Sequence, residues 1–347
     1  TPYDPGKSPD AQNIFYPGSQ NQLPVQFFDV DYYNVGGFLQ AQSQWTSKFS
    51  STVGVRVDSN SDYGDTVNPR VGLVYEMSEE TTFKALYGQA FLAPSPTVRY
   101  RNFGSFTGAP NANGLYESFY FRVPNADLEP ERVQTFELGV SQKFWSDFTV
   151  SLDVFYSSVD DLILAAPTQP VQGGFVPGGV IFFTDQEANV GELTAYGLDL
   201  TLDYERRFER SRLNAWANFS YVDGELEYKL TSTRIDLPHT AREKVKLGVT
   251  YNWNDRLVVT PSVRWIGPTA GFQDNPAAPN FGDSTPDYFI VNLYAEWRVV
   301  RDHFTVFARV TNLLDEHIYH ADIGSGRNFF EAPQDQRWVM AGLRLAF

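Results

Sequence analysis

Apolar and polar side chains alternate with a period of two along most of this chain. In residues 196–205 every even position is Tyr or Leu, and every odd position is Gly, Asp, Thr or Glu. Residues 148–156, 212–221, 245–253 and 338–347 follow a similar alternation. Because successive side chains of a β-strand point to opposite faces, each stretch predicts a strand with one apolar face.

The connections between the predicted strands alternate between short and long. We predict about thirteen strands. The short connections fall near 48–50, 78–80, 145–146, 207–210, 254–255 and 300–301. The long ones fall near 59–66, 92–132, 164–192, 225–241, 268–286 and 314–336. This parity is typical of an outer-membrane barrel, with short periplasmic turns and long extracellular loops. The sequence therefore predicts an all-β, transmembrane antiparallel β-barrel.

The composition agrees with a barrel and excludes several other classes. Aromatic residues make up 16 % of the chain, yet the mean hydropathy is −0.33, which suits a lipid-facing stripe around a wet lumen. No run of about 18 apolar residues occurs, so no transmembrane helix is predicted. The net charge of −15 disfavours nucleic acid as a partner. The absence of Cys excludes disulfides and thiolate metal sites.

Several motifs, taken in order, resemble TonB-dependent outer-membrane receptors. They are VGVRVD at 53–58, LYGQAFLAPS at 86–95, LEPE at 128–131 with FELG at 136–139, TNLLD at 311–315, and the terminal Phe347. The resemblance covers most of residues 35–347. It implies a barrel of about 22 strands plugged by an N-terminal domain. It also implies energy-coupled import through TonB, most often of a ferric siderophore, with cobalamin, glycans or peptides as open alternatives.

The chain departs from that pattern in its extent. Counted back from Phe347, residues 34–347 form about thirteen C-terminal strands, and residues 1–33 form an extracellular loop segment. The plug, the energy-coupling box and roughly nine strands would lie outside the chain. An open sheet cannot sit in lipid, and Thr1 does not begin a signal peptide. We expect a fragment of a longer protein; a self-contained barrel of about twelve to fourteen strands is the alternative.

The longest connection carries the candidate ligand-binding residues. These are Arg99, Tyr100, Arg101, Phe103, Phe106, Tyr116, Phe119, Tyr120 and Arg122. Aromatic rings together with Arg can grip an anionic, aromatic iron chelate by stacking and charge. The alternative interpretation is that the loop packs on itself. Haem receptors of the family keep a His in the corresponding loop, and this loop has none, which argues against haem but leaves a Tyr ligand open.

Two groups of residues could bind a metal. Asp58, Asn60, Asp62 and Asp65 place hard oxygen ligands in one short segment that begins like a calcium loop. Gly64 comes one place late and the final Glu is missing, so a solvated turn is the alternative. His317 and His320, with Asp315 and Glu316, form a second candidate. A solvated loop face is the ordinary interpretation of that second group.

The sequence predicts no catalytic residues and no enzyme activity. The charges expected to face the lumen suit a polar barrel interior; they are Arg56, Glu137, Asp153, Asp199, Asp203, Arg264, Glu296, Arg298, Arg309 and Arg344. The expected partners are the TonB complex, a small metal chelate and the lipid and lipopolysaccharide of the outer membrane. A passive channel and a soluble β-rich binding protein remain as hypotheses of other classes.

Overall fold

Thirteen long strands form one antiparallel sheet in this computed structural model, and each strand pairs with its neighbours in the chain. The structure describes residues 31–100, 103–104, 109, 111–114, 116–118, 121–122, 125–166, 169–170, 179–271, 282–321 and 331–346. The strands are β1 (Asn34–Gln44), β2 (Phe49–Asn60), β3 (Gly64–Glu76), β4 (Thr81–Leu92), β5 (Glu131–Phe144), β6 (Phe148–Ala165), β7 (Glu187–Arg207), β8 (Ser211–Tyr228), β9 (Glu243–Trp253), β10 (Leu257–Ile266), β11 (Tyr288–Val300), β12 (Phe304–Thr311) and β13 (Trp338–Leu345). A short strand, Thr233–Asp236, adds to β8. The all-β prediction is confirmed.

The sheet has one apolar face and one polar face, as the alternation predicts. On β2, Val53, Val55 and Val57 are 51, 38 and 46 % exposed on the apolar side. Their cross-strand partners continue that surface, since Leu39 of β1 pairs with Val55. The polar side of the same strand carries Arg56. In a barrel the apolar face contacts lipid and the polar face lines the lumen, so we call them the outer and inner faces.

The connections lie at two ends of the sheet. Those at the short-turn end span 45–48, 77–80, 145–147, 208–210, 254–256 and 301–303. Those at the long-loop end span 61–63, 93–130, 166–186, 229–242, 267–287 and 312–337. The prediction of a long connection at 59–66 is wrong, because β2 and β3 pair as far as Asn60 and Gly64. The Asn60 side chain accepts a hydrogen bond from the Asp62 amide at 2.7 Å, which closes a three-residue turn.

Pro261 interrupts one ladder without ending its strand. It lies in β10 and pairs with Leu293 of β11. On its other side the register with β9 resumes only at Ser262, opposite Gly248, and at Val259, opposite Tyr251. A proline has no N–H to donate, which accounts for a gap on one side of the strand.

Two strands extend further toward the long-loop end than their sequence pattern indicates. β7 starts at Glu187 instead of near 193, and β8 continues to Tyr228 instead of 224. The β6–β7 ladder persists through register shifts around Gly191, which the alternation cannot show. With 21 residues β7 is about 70 Å long, more than a tilted membrane strand needs.

The sheet is open in the part of the chain that the structure describes. β1 and β13 each pair with a single neighbour there. Most of the predicted 1–33 segment and Phe347 lie outside the described residues. Among the described residues, no helix has the length and apolar character needed to cross a membrane.

Candidate functional site

Arg99 fastens three segments at the long-loop end. It lies in the one-turn helix Pro96–Tyr100 and is 4 % exposed. Its Nη1 donates to the Leu128 carbonyl at 2.8 Å, and its Nη2 donates to the Ala126 carbonyl. Its Nε lies 3.4 Å from the Asp62 carboxylate in the β2–β3 turn. A guanidinium offers several donors in a fixed plane, so this one side chain joins both ends of the 93–130 loop to the neighbouring turn.

Tyr100 reinforces the same junction. Its hydroxyl donates to the Asp62 carboxylate, and the Arg99 guanidinium carbon lies 5.6 Å from its ring centre. Burial, followed by the hydrogen bond to Asp62, raises the pKa of Tyr100 above its ordinary value. We call Arg99, Tyr100 and Asp62 the loop clamp. The Arg99 and Tyr100 side chains thus contact protein, and their predicted contact with a ligand stays a prediction.

The predicted calcium ligands are separated in the structure. Asp58 is 1 % exposed and accepts two hydrogen bonds at 2.7 Å from Arg56. Asp62 belongs to the loop clamp, and Asn60 closes the turn. Asp65 pairs with Ser59 and therefore points to the opposite face from Asp58. The described residues contain no group of three His, Cys, Asp or Glu placed to hold a metal. A calcium ion here stays a prediction that this geometry does not favour.

Asn189 makes a second junction, which sequence reasoning missed. Its Nδ2 donates to the carbonyls of Glu129 and Asp161 at 2.9 and 2.7 Å. Its Oδ1 accepts from the Glu129 amide at 2.9 Å. Asn125 adds a bond from its side chain to the Glu187 carbonyl at 2.9 Å. The 93–130 loop is thereby attached to the β6–β7 hairpin, and no local sequence pattern identifies an Asn with this role.

The 93–130 and 166–186 loops also pair with each other. Residues Tyr116–Ser118 run parallel to Gly179–Ile181, and Phe121–Arg122 runs parallel to Phe183–Asp185. The Arg122 side chain reaches Glu187 at 2.8 Å.

The remaining predicted ligand-binding residues also belong to the 93–130 loop. Phe103 lies in the short strand Phe103–Gly104, and Tyr116 lies in the short strand Tyr116–Ser118. Arg101, Phe106, Phe119 and Tyr120 lie outside the described residues.

The TNLLD motif forms a closed turn after β12. Asn312 is 1 % exposed, has a positive φ of 53°, and exchanges two hydrogen bonds with the Glu316 backbone at 2.8 and 2.9 Å. Asp315 accepts from the Arg337 amide at 2.9 Å. His317 is exposed, whereas the His320 Nε2 lies 3.4 Å from the Tyr288 hydroxyl. The two histidines thus do not converge with Asp315 on a metal site.

The inner face carries separate polar clusters. Lys84 reaches Glu137 at 2.9 Å and Asp153 at 2.8 Å. It crosses Gly139 to do so, where any side chain would collide with Lys84 and Asp153. Lys84, Glu137 and Asp153 therefore form one polar cluster that spans β4, β5 and β6.

A second inner-face cluster lies near the short-turn end and centres on a carboxylate. Glu296 accepts from the Tyr294 hydroxyl at 2.8 Å and from Arg298 at 3.0 Å.

Comparison with known proteins gives a consistent result. A family model described as TonB dependent receptor-like, beta-barrel matches residues 2–313. The iron-regulated outer membrane virulence protein of Vibrio cholerae is 24 % identical over 320 residues, which are 90 % of this chain and 44 % of that protein. This chain therefore spans less than half the length of that relative.

Solved structures share the fold. The ferric enterobactin receptor of Pseudomonas aeruginosa superposes with a TM-score of 0.70 at 20 % identity, over 91 % of this chain and 45 % of that one. The siderophore receptor of Acinetobacter baumannii also has a TM-score of 0.70, at 18 % identity, over 99 % and 49 % of the two chains.

Proposed function

This chain belongs to the TonB-dependent receptor-like β-barrel family of the outer membrane, and on that premise we propose that it is the C-terminal part of a receptor for energy-coupled import of a ferric siderophore. The main support for the proposal is the sheet of thirteen strands, β1 to β13, which we call the barrel wall. Consecutive strands pair in chain order, turn an apolar face outward, and rise into loops that are tied together at one end. A lipid-embedded sheet with two open edges needs further strands to complete it.

In the proposed mechanism, the loops at the long-loop end capture the chelate and a plug held inside the barrel blocks its passage. Energy transmitted by TonB from the inner membrane moves the plug and opens the route. The loop clamp attaches the 93–130 loop to the β2–β3 turn, and Asn189 attaches it to the β6–β7 hairpin. The proposal assigns ligand contact to the aromatic and Arg residues of this anchored loop. Iron arrives with the ligand and is not a resident cofactor.

The siderophore assignment is supported by the named ligands of similar proteins, which include a ferric enterobactin receptor and a siderophore receptor. The test is growth under iron limitation of a strain lacking the full-length receptor and of the complemented strain. Each strain is supplied with ferric catecholate, hydroxamate or carboxylate chelates, and cobalamin is tested separately. Rescue by one iron chelate, only in the complemented strain, is expected. Rescue by none of them would overturn the siderophore proposal.

A passive channel is the alternative from another class. It predicts steady conductance of the purified full-length protein in planar bilayers and no high-affinity ligand. Import of cobalamin, a glycan or a peptide would keep the family mechanism and change only the substrate.

A further inference from the structure

Three cationic side chains lie together on the inner face near the long-loop end. Lys244 and Lys246 alternate with the outer-facing Val245 on β9, and Lys246 lies directly opposite Arg264 of β10. Lys244 is the second residue of β9, and Arg264 is two residues from the end of β10. We call Lys244, Lys246 and Arg264 the basic patch.

The basic patch lacks a neutralising partner in the part of the chain that the structure describes. None of its three residues forms an ion pair there, and Lys246 and Arg264 are exposed. Lys244 pairs with Ser220 of β8, and Ser220 pairs with Asp199 of β7. Asp199 is the nearest acidic residue along this line of cross-strand partners, and β8 lies between it and Lys244. Asp199 already accepts a hydrogen bond from the Ser220 hydroxyl at 2.5 Å.

This arrangement costs stability. Like charges placed directly across a β-ladder repel each other. The chain has 42 acidic and 27 basic residues, so a cluster of cations without carboxylates runs against its composition. Arg242, close by in the chain, illustrates the contrast, since it pairs with Asp223 at 3.0 Å and with Asp236 at 3.4 Å. Among the described residues, no carboxylate neutralises the basic patch in the way that Asp223 and Asp236 neutralise Arg242.

The surroundings suit a small aromatic ligand. The Trp216 indole lies over Gly248, where an added Cβ would come within 2.8 Å of it, and Gly248 is two residues from Lys246 on the same face. The Tyr288 ring stands beside His320, with their centres 6.2 Å apart, one strand beyond Ile266. Stacking surfaces next to cations can hold a planar, negatively charged group.

We propose that the basic patch binds a polyanionic ferric chelate on the inner face near the long-loop end. The receptor would thereby select chelates that carry several negative charges over neutral ones. This inference rests on the proposed function and makes its substrate class more specific. The position near the strand ends places the patch where a ligand leaves the loops and enters the lumen.

The test uses the full-length receptor in detergent and two probes, a triply charged ferric tris-catecholate and a neutral ferric trihydroxamate. Binding is followed by quenching of tryptophan fluorescence at low and high salt. The wild-type receptor should bind the anionic probe more tightly, and salt should weaken that binding. In the double variant Lys246→Gln/Arg264→Gln, affinity for the anionic probe should fall at least about 10-fold, as expected when two charge-assisted contacts are lost.

The matched control is Arg212→Gln/Arg344→Gln, which removes two inner-face charges at the short-turn end of the sheet and should leave affinity within about 2-fold, because distant exposed charges are screened. Equal losses in both double variants, no loss in the first, no binding of the anionic probe, or tighter binding of the neutral one would overturn the proposal. Lysines 244 and 246 that resist a water-soluble acylating reagent in the ligand-free receptor would also overturn it, since protein would then cover the patch. TonB-dependent uptake of the neutral probe alone would refute the patch and leave the import function standing.

Discussion

Replacing Arg99 with Met should release the 93–130 loop while leaving the barrel wall intact. Met has about the length of Arg and resembles its aliphatic stem, but it has no hydrogen-bond donor. The carbonyls of Ala126 and Leu128 would lose their partner, and Asp62 would keep only Tyr100. The strands beneath are held by their own ladders, so we expect the effect to be confined to the loop.

The size of the effect follows from the burial of Arg99. Each hydrogen bond from a charged donor contributes about 1.5–3 kcal/mol, and breaking a buried charged pair from one side costs about 3–5 kcal/mol. Arg99 is 4 % exposed and makes two such bonds besides its contact with Asp62. We therefore expect the free energy of loop opening to fall by about 3–5 kcal/mol, or roughly 10²- to 10⁴-fold in the opening equilibrium.

Hydrogen–deuterium exchange with mass spectrometry measures this opening. The Asn125 amide donates to the Arg99 carbonyl at 2.9 Å, so peptides that contain residue 99 or 125 report on the junction directly. The matched control is Arg234→Met. Arg234 also faces two carboxylates, Glu225 and Glu227, each at 2.9 Å, but its side chain is 58 % exposed. Such surface pairs contribute under about 1 kcal/mol, so exchange should change less than about 10-fold.

The reasoning is wrong if Arg99→Met and Arg234→Met change exchange equally, or if Arg99→Met leaves the peptides around residues 99 and 125 as protected as in the wild type. Faster exchange throughout β2–β5 would also contradict it, because the clamp would then support the wall and not only the loop.

Three further predictions test other parts of the account. In Gly197→Ala the new Cβ collides with the Tyr221 carbonyl, so folded barrel should be lost on unheated gels, whereas Gly88→Ala, with open space around it, should fold normally. Because the pKa of Tyr100 is raised, its neutral, hydrogen-bonded form should stabilise the clamp at neutral pH, and this stabilisation should be lost as pH rises through the raised pKa. The test subtracts the tyrosinate absorbance titration of Tyr100→Phe from that of the wild type. A pKa from this difference at or below the ordinary value of about 10 would contradict the prediction. Asn189→Ala should make the 93–130 loop more sensitive to protease by breaking three backbone contacts, whereas Arg234→Met should not; unchanged cleavage would count against that role.

The barrel wall could be predicted from the sequence because its physics is local. A strand with lipid on one face and water on the other must alternate, and the thirteen strands follow that rule along the chain. The alternation weakens where strands leave the membrane. It therefore does not predict how far β7 and β8 extend toward the long-loop end. There the ladder continues through bulges around Gly191, and neither face needs to be apolar.

The candidate site was harder to predict because the same residue types serve several purposes. From the sequence, Asn60 could equally be a metal ligand or the hydrogen-bond acceptor that closes a turn. The backbone conformation determines which of the two roles it has. An Arg in a loop can meet a ligand or its own chain. For Arg99 the acceptors lie 27 and 29 residues away, and sequence spacing gives no sign of that contact.

Uptake of radiolabelled iron by cells with and without TonB tests the central claim most directly. Cells carrying the full-length receptor and supplied with its ferric siderophore should accumulate iron only when TonB is present, and deletion of the receptor should abolish the uptake. Receptor-dependent accumulation at the same rate in cells without TonB would contradict energy-coupled import and identify the protein as a passive channel.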